Sequence, residues 1–283
     1  MRTIPTIREM QRVAERLRLK GKRIGVVPTM GFLHEGHLSL IKLAREKSDA
    51  VIVTIFVNPT QFSPAEDFSC YPRDLERDRR LAEAAGCDVL FTPTAREMYP
   101  EDYLTYVQVE RLSSILEGKF RPTHFRGVST VVAKLFNITK PHLAVFGQKD
   151  AQQAIIIKQI VRDLNFDIDI LVAPIVREAD GLAMSSRNVY LSLGERSDAL
   201  VLREALDLAE NMIHRGEYDT GEITRKMRRL VTSGRHVHVD YVSIVDADTL
   251  DMLPKLQKGR RTLIALAARF GKTRLIDNTV LTP

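Results

Sequence analysis

Two histidines, His34 and His37, lie in the segment PTMGFLHEGH, which spans residues 28–37. The segment follows the apolar run IGVV, so it begins where a buried strand would end. Gly31 and Gly36 permit close approach of the backbone to a ligand, and a helix beginning near Gly36 would direct its N-terminal amides toward an anion. On the first turn of that helix, both imidazoles could donate hydrogen bonds to phosphate oxygens. The segment predicts a phosphate site that suits a triphosphate.

Other interpretations of the two histidines stay open at this point. A single histidine is more often a surface residue or a satisfied core residue than a ligand-binding group. Zinc needs more ligands than two histidines provide, and a helix would turn Glu35 away from them. The turn also lacks GxGxxG spacing, so it does not indicate a dinucleotide cofactor. We therefore predict no metal site formed by protein ligands.

Further polar segments follow other apolar runs. The segment NPTQF contains Asn58 and Gln61, and GQKDAQQ contains Lys149, Asp150 and Gln153. Lysine offers a compact cation, and the aspartate suits a ribose hydroxyl or a hydrated magnesium ion. The two glutamine amides could orient a small hydroxy acid. Ion-paired surface residues and solvated glutamines would give the same sequence, so this pattern is weaker than the histidine turn.

The segment AMSSRN, residues 183–188, combines hydroxyl groups with an arginine. Several donors on one loop can bind phosphate while the loop remains mobile. The alternative is a polar turn or helix cap before VYLSLGE. In open parallel sheets, ligands bind outside the carboxyl ends of the strands, which is where all of these segments are expected.

The elements that would position these residues follow from the pattern of apolar runs. Over roughly the first 175 residues, short β-branched runs alternate with amphipathic segments, which predicts parallel strands joined by helices. The predicted strands are RIGVVPT, AVIVTIFVNP, DVLFTP, HLAVFG and DIDILVAP, and the predicted helices include RDLERDRRLAEAA and DAQQAIIIKQIVRDL.

The pattern changes after residue 176. Helical stretches near 195–214 and 220–232 precede HVHVDYVSIVD and RTLIALAARF, whose alternation predicts an antiparallel sheet. The fold class is therefore α/β, with a parallel-sheet N-terminal domain and a smaller α+β C-terminal domain, and the boundary between them lies near Pro174.

Composition restricts the class of protein further. The chain has 283 residues, 44% hydrophobic and 28% charged, and a formal net charge of +6. No apolar run is long enough to span a bilayer, and the first residues lack a signal-peptide core, so we expect a cytoplasmic protein with no membrane partner. Basic residues do not form a long tract with interleaved aromatics, so we expect no nucleic-acid partner. Cys70 and Cys87 have no CxxC spacing.

The order and spacing of these segments resemble a known family. PTMGFLHEGH resembles the histidine-glycine-histidine signature of the nucleotidyltransferase superfamily, and MSSRN is similar to the lysine-methionine-serine-lysine-serine loop that class I aminoacyl-tRNA synthetases share. Together with FVNPTQF, YPRDLERD, HFRGVSTVVAKLFN, VFGQKDAQQ and READGLAMSSRN, they make the whole chain resemble the pantothenate synthetases, which are pantoate–β-alanine ligases.

The resemblance implies a Rossmann-like domain over 1–175 that binds ATP and pantoate, and a smaller lid domain over 176–283. It also implies a homodimer and the ATP-dependent joining of (R)-pantoate to β-alanine through a pantoyl adenylate, with Mg²⁺ held mainly by the ATP phosphates. No protein nucleophile is required. Rival classes are an RNA-related synthetase or tRNA-binding module, a nucleotidyltransferase that stops at an adenylylated product, and a non-catalytic nucleotide-binding protein.

The resemblance also implies a role for individual residues. Catalytic roles fall to His37 as proton donor, to His34 as its companion at the phosphates, and to Lys149, Ser185, Ser186 and Arg187. Gln61 is expected to contact pantoate and β-alanine, Gln153 to contact pantoate, and Asn58 to be a neighbour in that pocket. The residues expected to bind ATP are Met30, Gly31, Phe32, Leu33, His34, Glu35, Gly36, His37, Gly147, Gln148, Lys149, Asp150, Val176, Met184, Ser185, Ser186 and Arg187.

Overall fold

Six strands form one parallel sheet in the computed structural model of the chain, which describes residues 1–64, 66–234 and 237–283. The strands are β1 (Arg2–Ile4), β2 (Ile24–Thr29), β3 (Ala50–Ile55), β4 (Val89–Phe91), β5 (Leu143–Gly147) and β6 (Asp169–Ala173). Their order in the sheet is β1-β4-β3-β2-β5-β6, and every neighbouring pair is parallel. The five predicted strands are thus confirmed, and β1 is an addition to them.

Helices connect these strands. They are α1 (Ile7–Leu19), α2 (Glu35–Lys47), α3 (Leu75–Ala84), α4 (Ala95–Met98), α5 (Glu117–Phe120), α6 (His124–Thr139) and α7 (Ala151–Asp163). Strands β2, β3 and β5 are buried at nearly every position, as expected for a parallel sheet covered on both faces. One core cluster joins β2 to α2 and β3 through Val27, Ile41 and Val53, all fully buried.

The strand order defines where a ligand would bind. From β2 the chain continues on one side to β3 and β4, whereas β5 and β6 lie on the other side of β2. Such a reversal leaves a crevice outside the carboxyl ends of the two strands that flank it, here β2 and β5. The histidine turn follows β2, and Gly147 and Gln148 come at the end of β5. The topology therefore places the predicted phosphate turn beside the switch point.

A second sheet contains three antiparallel strands within the described residues, in the order β7-β8-β9. These strands are β7 (Val237–Asp246), β8 (Thr262–Phe270) and β9 (Thr273–Leu281), and the helices beside them are α8 (Leu193–Ala199), α9 (Val201–His214) and α10 (Thr220–Val231). A separate core of buried side chains from α9, α10 and this sheet holds them together. The fold class is therefore α/β with a smaller α+β part, as predicted; His236, placed in the first predicted strand here, lies outside the described residues.

The packing of the chain divides it into two units. The first contains Met1–Gln148 and Ile156–Pro174, and the second contains Lys149–Ile155 and Ile175–Pro283. One division of the chain lies after Pro174, and the short segment Lys149–Ile155, which we placed in the N-terminal domain, groups with the second unit. The predicted domains over 1–175 and 176–283 stay a prediction. The predicted action of the second domain as a lid stays a prediction. Within the described residues, no helix is both long and apolar enough to cross a membrane.

Candidate functional site

The turn after β2, residues 30–37, is called the signature turn below. His34 is the N-cap of α2, and its Nδ1 accepts a hydrogen bond from the backbone N–H of Gly36 over 3.2 Å. The Nδ1 of His37 accepts in turn from the backbone N–H of His34 over 3.3 Å. The two ring centroids are 4.1 Å apart. The histidines thus form a reciprocal capping box, in which each side chain satisfies a backbone donor at the helix start.

The capping box fixes the tautomer of both rings. A neutral imidazole that accepts a hydrogen bond at Nδ1 must carry its proton on Nε2. Both His34 and His37 therefore present an Nε2–H donor, and both lie at the positive end of the α2 dipole. This arrangement suits an anion, because donors and dipole favour the same charge.

Backbone geometry explains why a glycine lies in the signature turn. Gly31 has φ +87° and Phe32 has φ +49°, so two consecutive residues adopt left-handed conformations. A Cβ on Gly31 would also lie 2.9 Å from Cγ2 of Ile55 and 3.0 Å from Oδ2 of Asp78. Both the left-handed torsion angle and the small space favour glycine at position 31. Strained conformations of this kind persist only where their surroundings hold them.

Asp78 on α3 provides that support. Its Oδ2 accepts from the backbone N–H of Phe32 and its Oδ1 from that of Leu33, each over 2.7 Å. Burial raises the pKa of this carboxyl, although the two backbone hydrogen bonds and Arg77 act to lower it. The sequence analysis missed this residue. The sequence carries no separate signal for it, because the burial of Asp78 on the same face of α3 as Ala82 is seen only in the folded chain.

Gln61 follows β3 and is the last residue of a short 3-10 helix, Pro59–Gln61, called the Gln61 turn below. Its side chain is only 7% exposed. Asn58 donates from Nδ2 to Gln61 Oε1 over 3.1 Å, and Gln61 Nε2 lies 3.0 Å from the sulfur of Met30. Since the amide oxygen is occupied by Asn58, the Gln61 amide is oriented to act as a donor.

Asn58 itself makes its hydrogen bonds inside the protein. Its second Nδ2 hydrogen donates to the carbonyl of Gly127 over 3.1 Å. Its Oδ1 accepts from the backbone N–H and the hydroxyl of Thr60, over 3.3 and 2.9 Å. We predicted Asn58 as a substrate neighbour; with 1% exposure and all these internal bonds, its side chain holds Gln61 in place.

Of the remaining predicted site residues, Gly147 and Gln148 belong to the first unit, and those from Lys149 onward belong to the second unit. Lys149 and Asp150 form a 3-10 turn, and Gln153 lies in the first turn of α7. Asn278 on β9 donates from Nδ2 to the backbone carbonyl of Lys149 over 2.9 Å. The Lys149 ammonium is 4.0 Å from the Asp150 carboxylate and is 22% exposed. The backbone of Lys149 is therefore anchored by the segment LIDN, while its side chain keeps access to solvent.

Val176 and Met184 are brought together by a small hairpin. The backbone N–H of Met184 donates to the carbonyl of Val176 over 3.0 Å. Gly181, with φ +93°, forms the turn between them. Arg177 fixes this hairpin to β9, because its guanidinium binds both carboxylate oxygens of Asp277 at 2.7 and 3.0 Å. The predicted ATP positions 176 and 184 are thus neighbours.

The hydroxyl loop continues from this hairpin. Ser185 caps a 3-10 helix, Ser186–Tyr190, by accepting from the backbone N–H of Arg187 over 3.2 Å. Ser186 is 7% exposed. Asn188 secures the loop by donating to Glu178 Oε1 over 2.6 Å and to the carbonyl of Ala183 over 3.1 Å. The cap interpretation of AMSSRN therefore applies to Ser185, whereas phosphate binding by Ser186 and Arg187 stays a prediction.

A metal site was not predicted from protein ligands alone. Throughout residues 1–64, 66–234 and 237–283, no group of three or more His, Cys, Asp or Glu side chains is placed to hold a metal ion.

A parallel sheet with a phosphate-type turn at its switch point and a buried donor amide is typical of α/β enzymes of the nucleotide-binding class. A family model described as pantoate-beta-alanine ligase matches residues 2–280. The chain therefore belongs to the pantoate–β-alanine ligase family, whose reaction is the joining of pantoate to β-alanine, and it is a ligase.

Similar proteins extend over the whole chain. The pantothenate synthetase of Acetivibrio thermocellus is 54% identical over 281 residues, covering 99% of both chains. That of Moorella thermoacetica is 55% identical with the same coverage. Among solved structures, the pantothenate synthetase of Thermus thermophilus covers 100% of both chains with 45% identity and a TM-score of 0.93. The pantoate-beta-alanine ligase of Francisella tularensis, complexed with beta-gamma ATP and beta-alanine, has 37% identity, a TM-score of 0.80 and coverage of 99% and 97%.

Proposed function

We propose that this ligase activates (R)-pantoate with ATP and then transfers the pantoyl group to β-alanine. The pantoate carboxylate attacks the α-phosphorus of ATP, a P–O bond to the β-phosphate breaks, and pyrophosphate leaves. The amine of β-alanine attacks the carbonyl of the resulting pantoyl adenylate, and AMP leaves as the amide forms. Activation is needed because a free carboxylate is a poor acyl donor. The Francisella tularensis ligase is complexed with beta-gamma ATP and beta-alanine, which supports ATP and β-alanine as substrates here.

The histidine capping box is the observation that carries this proposal. His34 and His37 accept at Nδ1 from backbone donors and so carry Nε2 protons at the start of α2. In the proposed reaction, these Nε2–H groups donate to phosphate oxygens of ATP, and His37 meets the charge that develops on the leaving pyrophosphate. Donors fixed before the reaction stabilise such charge without reorganisation.

Residues of the second unit contribute further positive charge and donors in this proposal. Lys149, Ser185, Ser186 and Arg187 bind ATP phosphates, with Asp150 at the ribose hydroxyls. Loss of one preorganised donor typically lowers the rate by about 100- to 1,000-fold. The anchoring of Lys149 by Asn278, and of the hydroxyl loop by Asn188, supports this role because a catalytic donor must be held in place.

Gln61 and Gln153 are the proposed contacts of the organic substrates. Because Asn58 occupies Oε1 of Gln61, the Nε2 group is the part that would donate to a carboxylate or hydroxyl of pantoate and to β-alanine. The buried position of Gln61 strengthens such a hydrogen bond, since water competes for it poorly.

The proposal also includes the metal ion, the cellular location and the oligomeric state. Mg²⁺ enters with ATP, since phosphate oxygens are the ligands that this ion prefers alongside water. The ligase acts in the cytoplasm, and it forms a homodimer. The family resemblance supports the dimer, and size-exclusion chromatography with light scattering tests it.

The decisive experiment measures pyrophosphate release from MgATP with pantoate alone and then with β-alanine added. We expect pyrophosphate with pantoate alone, and AMP and pantothenate only after β-alanine is supplied. A nucleotidyltransferase that stops at the adenylylated product would show no response to β-alanine. Folded, ATP-binding protein that releases no pyrophosphate with pantoate would contradict the proposal.

A further inference from the structure

A cluster of polar side chains holds the main-chain carbonyl of Gln61. His124, the first residue of α6, places Nδ1 3.0 Å from this oxygen. Arg121 Nη2 donates to the same oxygen over 3.4 Å. Neither residue has been given a role in the proposed reaction. Both act on the backbone of the residue whose side chain is the proposed substrate contact.

The neighbours of His124 determine its tautomer. A carbonyl oxygen only accepts, so the proton lies on Nδ1, and Nε2 is left as an acceptor. Arg121 Nη1 lies 3.2 Å from that Nε2 and can only donate. Contacts on both sides of the ring therefore agree on one neutral form. His124 therefore donates from Nδ1 to the Gln61 carbonyl, and Arg121 donates to Nε2 on the opposite side of the ring.

Glu66 connects this cluster to the chain just after the Gln61 turn. Its Oε1 forms an ion pair with Arg121 Nε, and both side chains are largely buried, at 22% and 14% exposed. Its Oε2 accepts from the backbone N–H of Ser63 over 2.7 Å. The backbone is therefore held at the carbonyl of Gln61 and again two residues later, at Ser63.

Helix α6 also approaches the Gln61 turn directly. A Cβ built on Gly127 would lie 2.4 Å from the carbonyl oxygen of Thr60 and 2.6 Å from the nitrogen of Gln61. Only glycine permits so close an approach. The Gly127 carbonyl accepts from Asn58, which orients the Gln61 amide. The first turn of α6 therefore positions both the backbone and the side chain of Gln61.

We propose that His124 is a positioning residue for the substrate-binding amide of Gln61, acting through the Gln61 carbonyl and supported by the Arg121–Glu66 ion pair. The inference rests on the proposed function, because it takes Gln61 as a contact of pantoate and β-alanine. His124 touches no reacting atom in this scheme. Its loss should weaken binding of the organic substrates and leave the binding of ATP nearly unchanged.

The test compares His124→Asn with His124→Gln in the full-length protein. The amide NH₂ of asparagine can replace the Nδ1–H donor, whereas that of glutamine lies nearer the Nε2 position. We expect H124Q to raise the KM for pantoate by about 10-fold, as for loss of one buried hydrogen bond, with the KM for ATP within about 2-fold of wild type. H124N should restore the pantoate KM to within about 3-fold. His124→Leu, if it folds, should resemble H124Q.

Failure of the inference about His124 and failure of the proposed function would give different results. Equal pantoate KM values for H124N and H124Q would overturn the inference, as would a rise in the KM for ATP as large as that for pantoate, because either result indicates a general structural role. Wild-type protein that releases no pyrophosphate with pantoate would instead contradict the proposed function. Wild type that turns over normally, with H124Q unchanged, would contradict only the role of His124.

Discussion

The Nδ1 atom of His37 accepts a hydrogen bond from the backbone N–H of His34, so the histidine proposed as proton donor also closes the cap of its own helix. One ring nitrogen caps the helix, and the other is the nitrogen that we propose donates to ATP. Substitutions that keep one nitrogen position and remove the other can therefore separate the two roles.

His37→Asn retains an acceptor near the Nδ1 position and removes the Nε2–H donor. We expect pantoate-dependent pyrophosphate release to fall by about 100- to 1,000-fold, with little change in melting temperature. His37→Gln retains an amide near the Nε2 position and loses the cap. It should keep more activity than H37N, and its free energy of unfolding should be lower by about 1 kcal/mol. Single-turnover pyrophosphate assays measure the activity of both variants, and thermal unfolding measures their stability. If H37N were more active than H37Q, the Nε2–H group of His37 would not be the catalytic donor.

Asp78→Asn should loosen the signature turn. An amide has a single acceptor oxygen for the backbone N–H groups of Phe32 and Leu33, and its NH₂ would face one of those donors. We expect the free energy of unfolding to fall by about 1–3 kcal/mol and the KM for ATP to rise about 10-fold.

The same substitution one turn earlier supplies the control for Asp78. Asp74 is the N-cap of α3 and accepts from the backbone N–H of Arg77 over 3.0 Å. Asparagine is an equally good N-cap, so Asp74→Asn should change neither the free energy of unfolding nor the KM for ATP by much. Similar ATP KM values for the two variants would show that Asp78 does not set the geometry of the turn.

Ser186→Ala should slow adenylate formation more than amide formation. Charge develops on the pyrophosphate only in the first step, so a phosphate donor is needed there. Rapid-quench measurement of pyrophosphate formation reports the first step, and β-alanine added to preformed adenylate reports the second. Ser192→Ala, which removes the N-cap of α8 and lies outside the proposed phosphate contacts, is the matched control and should leave the first step nearly unchanged. Comparable slowing of both steps by S186A would contradict its assignment to the phosphates.

Protein stability should depend on the protonation of His124. Burial, together with the neighbouring Arg121, lowers the pKa of His124 to about 3, despite the opposing effect of the Gln61 carbonyl. The unfolded chain, with an ordinary histidine pKa of about 6.5, therefore binds a proton before the folded chain does. The contribution of neutral His124 to the free energy of unfolding is fully present above pH 6.5. It decreases by up to about 5 kcal/mol as the pH falls toward 3.

Urea denaturation between pH 7 and 4 measures this dependence. His124→Asn should flatten the decrease, because it removes the titrating group. His214→Asn on α9 changes an exposed histidine and should leave the wild-type slope unchanged. A wild-type slope retained in H124N would mean that other groups account for the acid sensitivity.

Sequence alone predicted the elements whose patterns are long. Strands such as AVIVTIFVNP are apolar at nearly every position, because a parallel sheet buries both faces, and helices such as α3 carry clear start and stop signals. By contrast, β1 contains only three residues, RTI, which is too short for any periodicity to appear. Strand β9 was also missed, although it completes the antiparallel sheet and supplies Asp277 and Asn278.

The candidate site likewise contains features that the sequence predicted and features that it did not. The histidine turn was predictable because its residue types and spacing carry chemistry in themselves. The roles of Asp78, His124 and Asn58 were not, because each acts on the backbone or side chain of a residue that only the folded chain brings near. Such contacts arise from how α3 and α6 pack, which one sequence does not specify. The roles assigned to Lys149, Gln153 and the Ser185–Arg187 loop stay predictions until the assays are done.

The position of β1 has a consequence for how the protein folds. Arg2 pairs with Val89 and Ile4 with Phe91, so this edge strand has no partner until β4 is in place. Sheets that depend on such distant pairings form slowly, because the intervening chain must be ordered first. Refolding should thus begin with the neighbouring strands β2 and β3, and β1 should dock late, so residues early in the chain are among the last to find their place in the sheet.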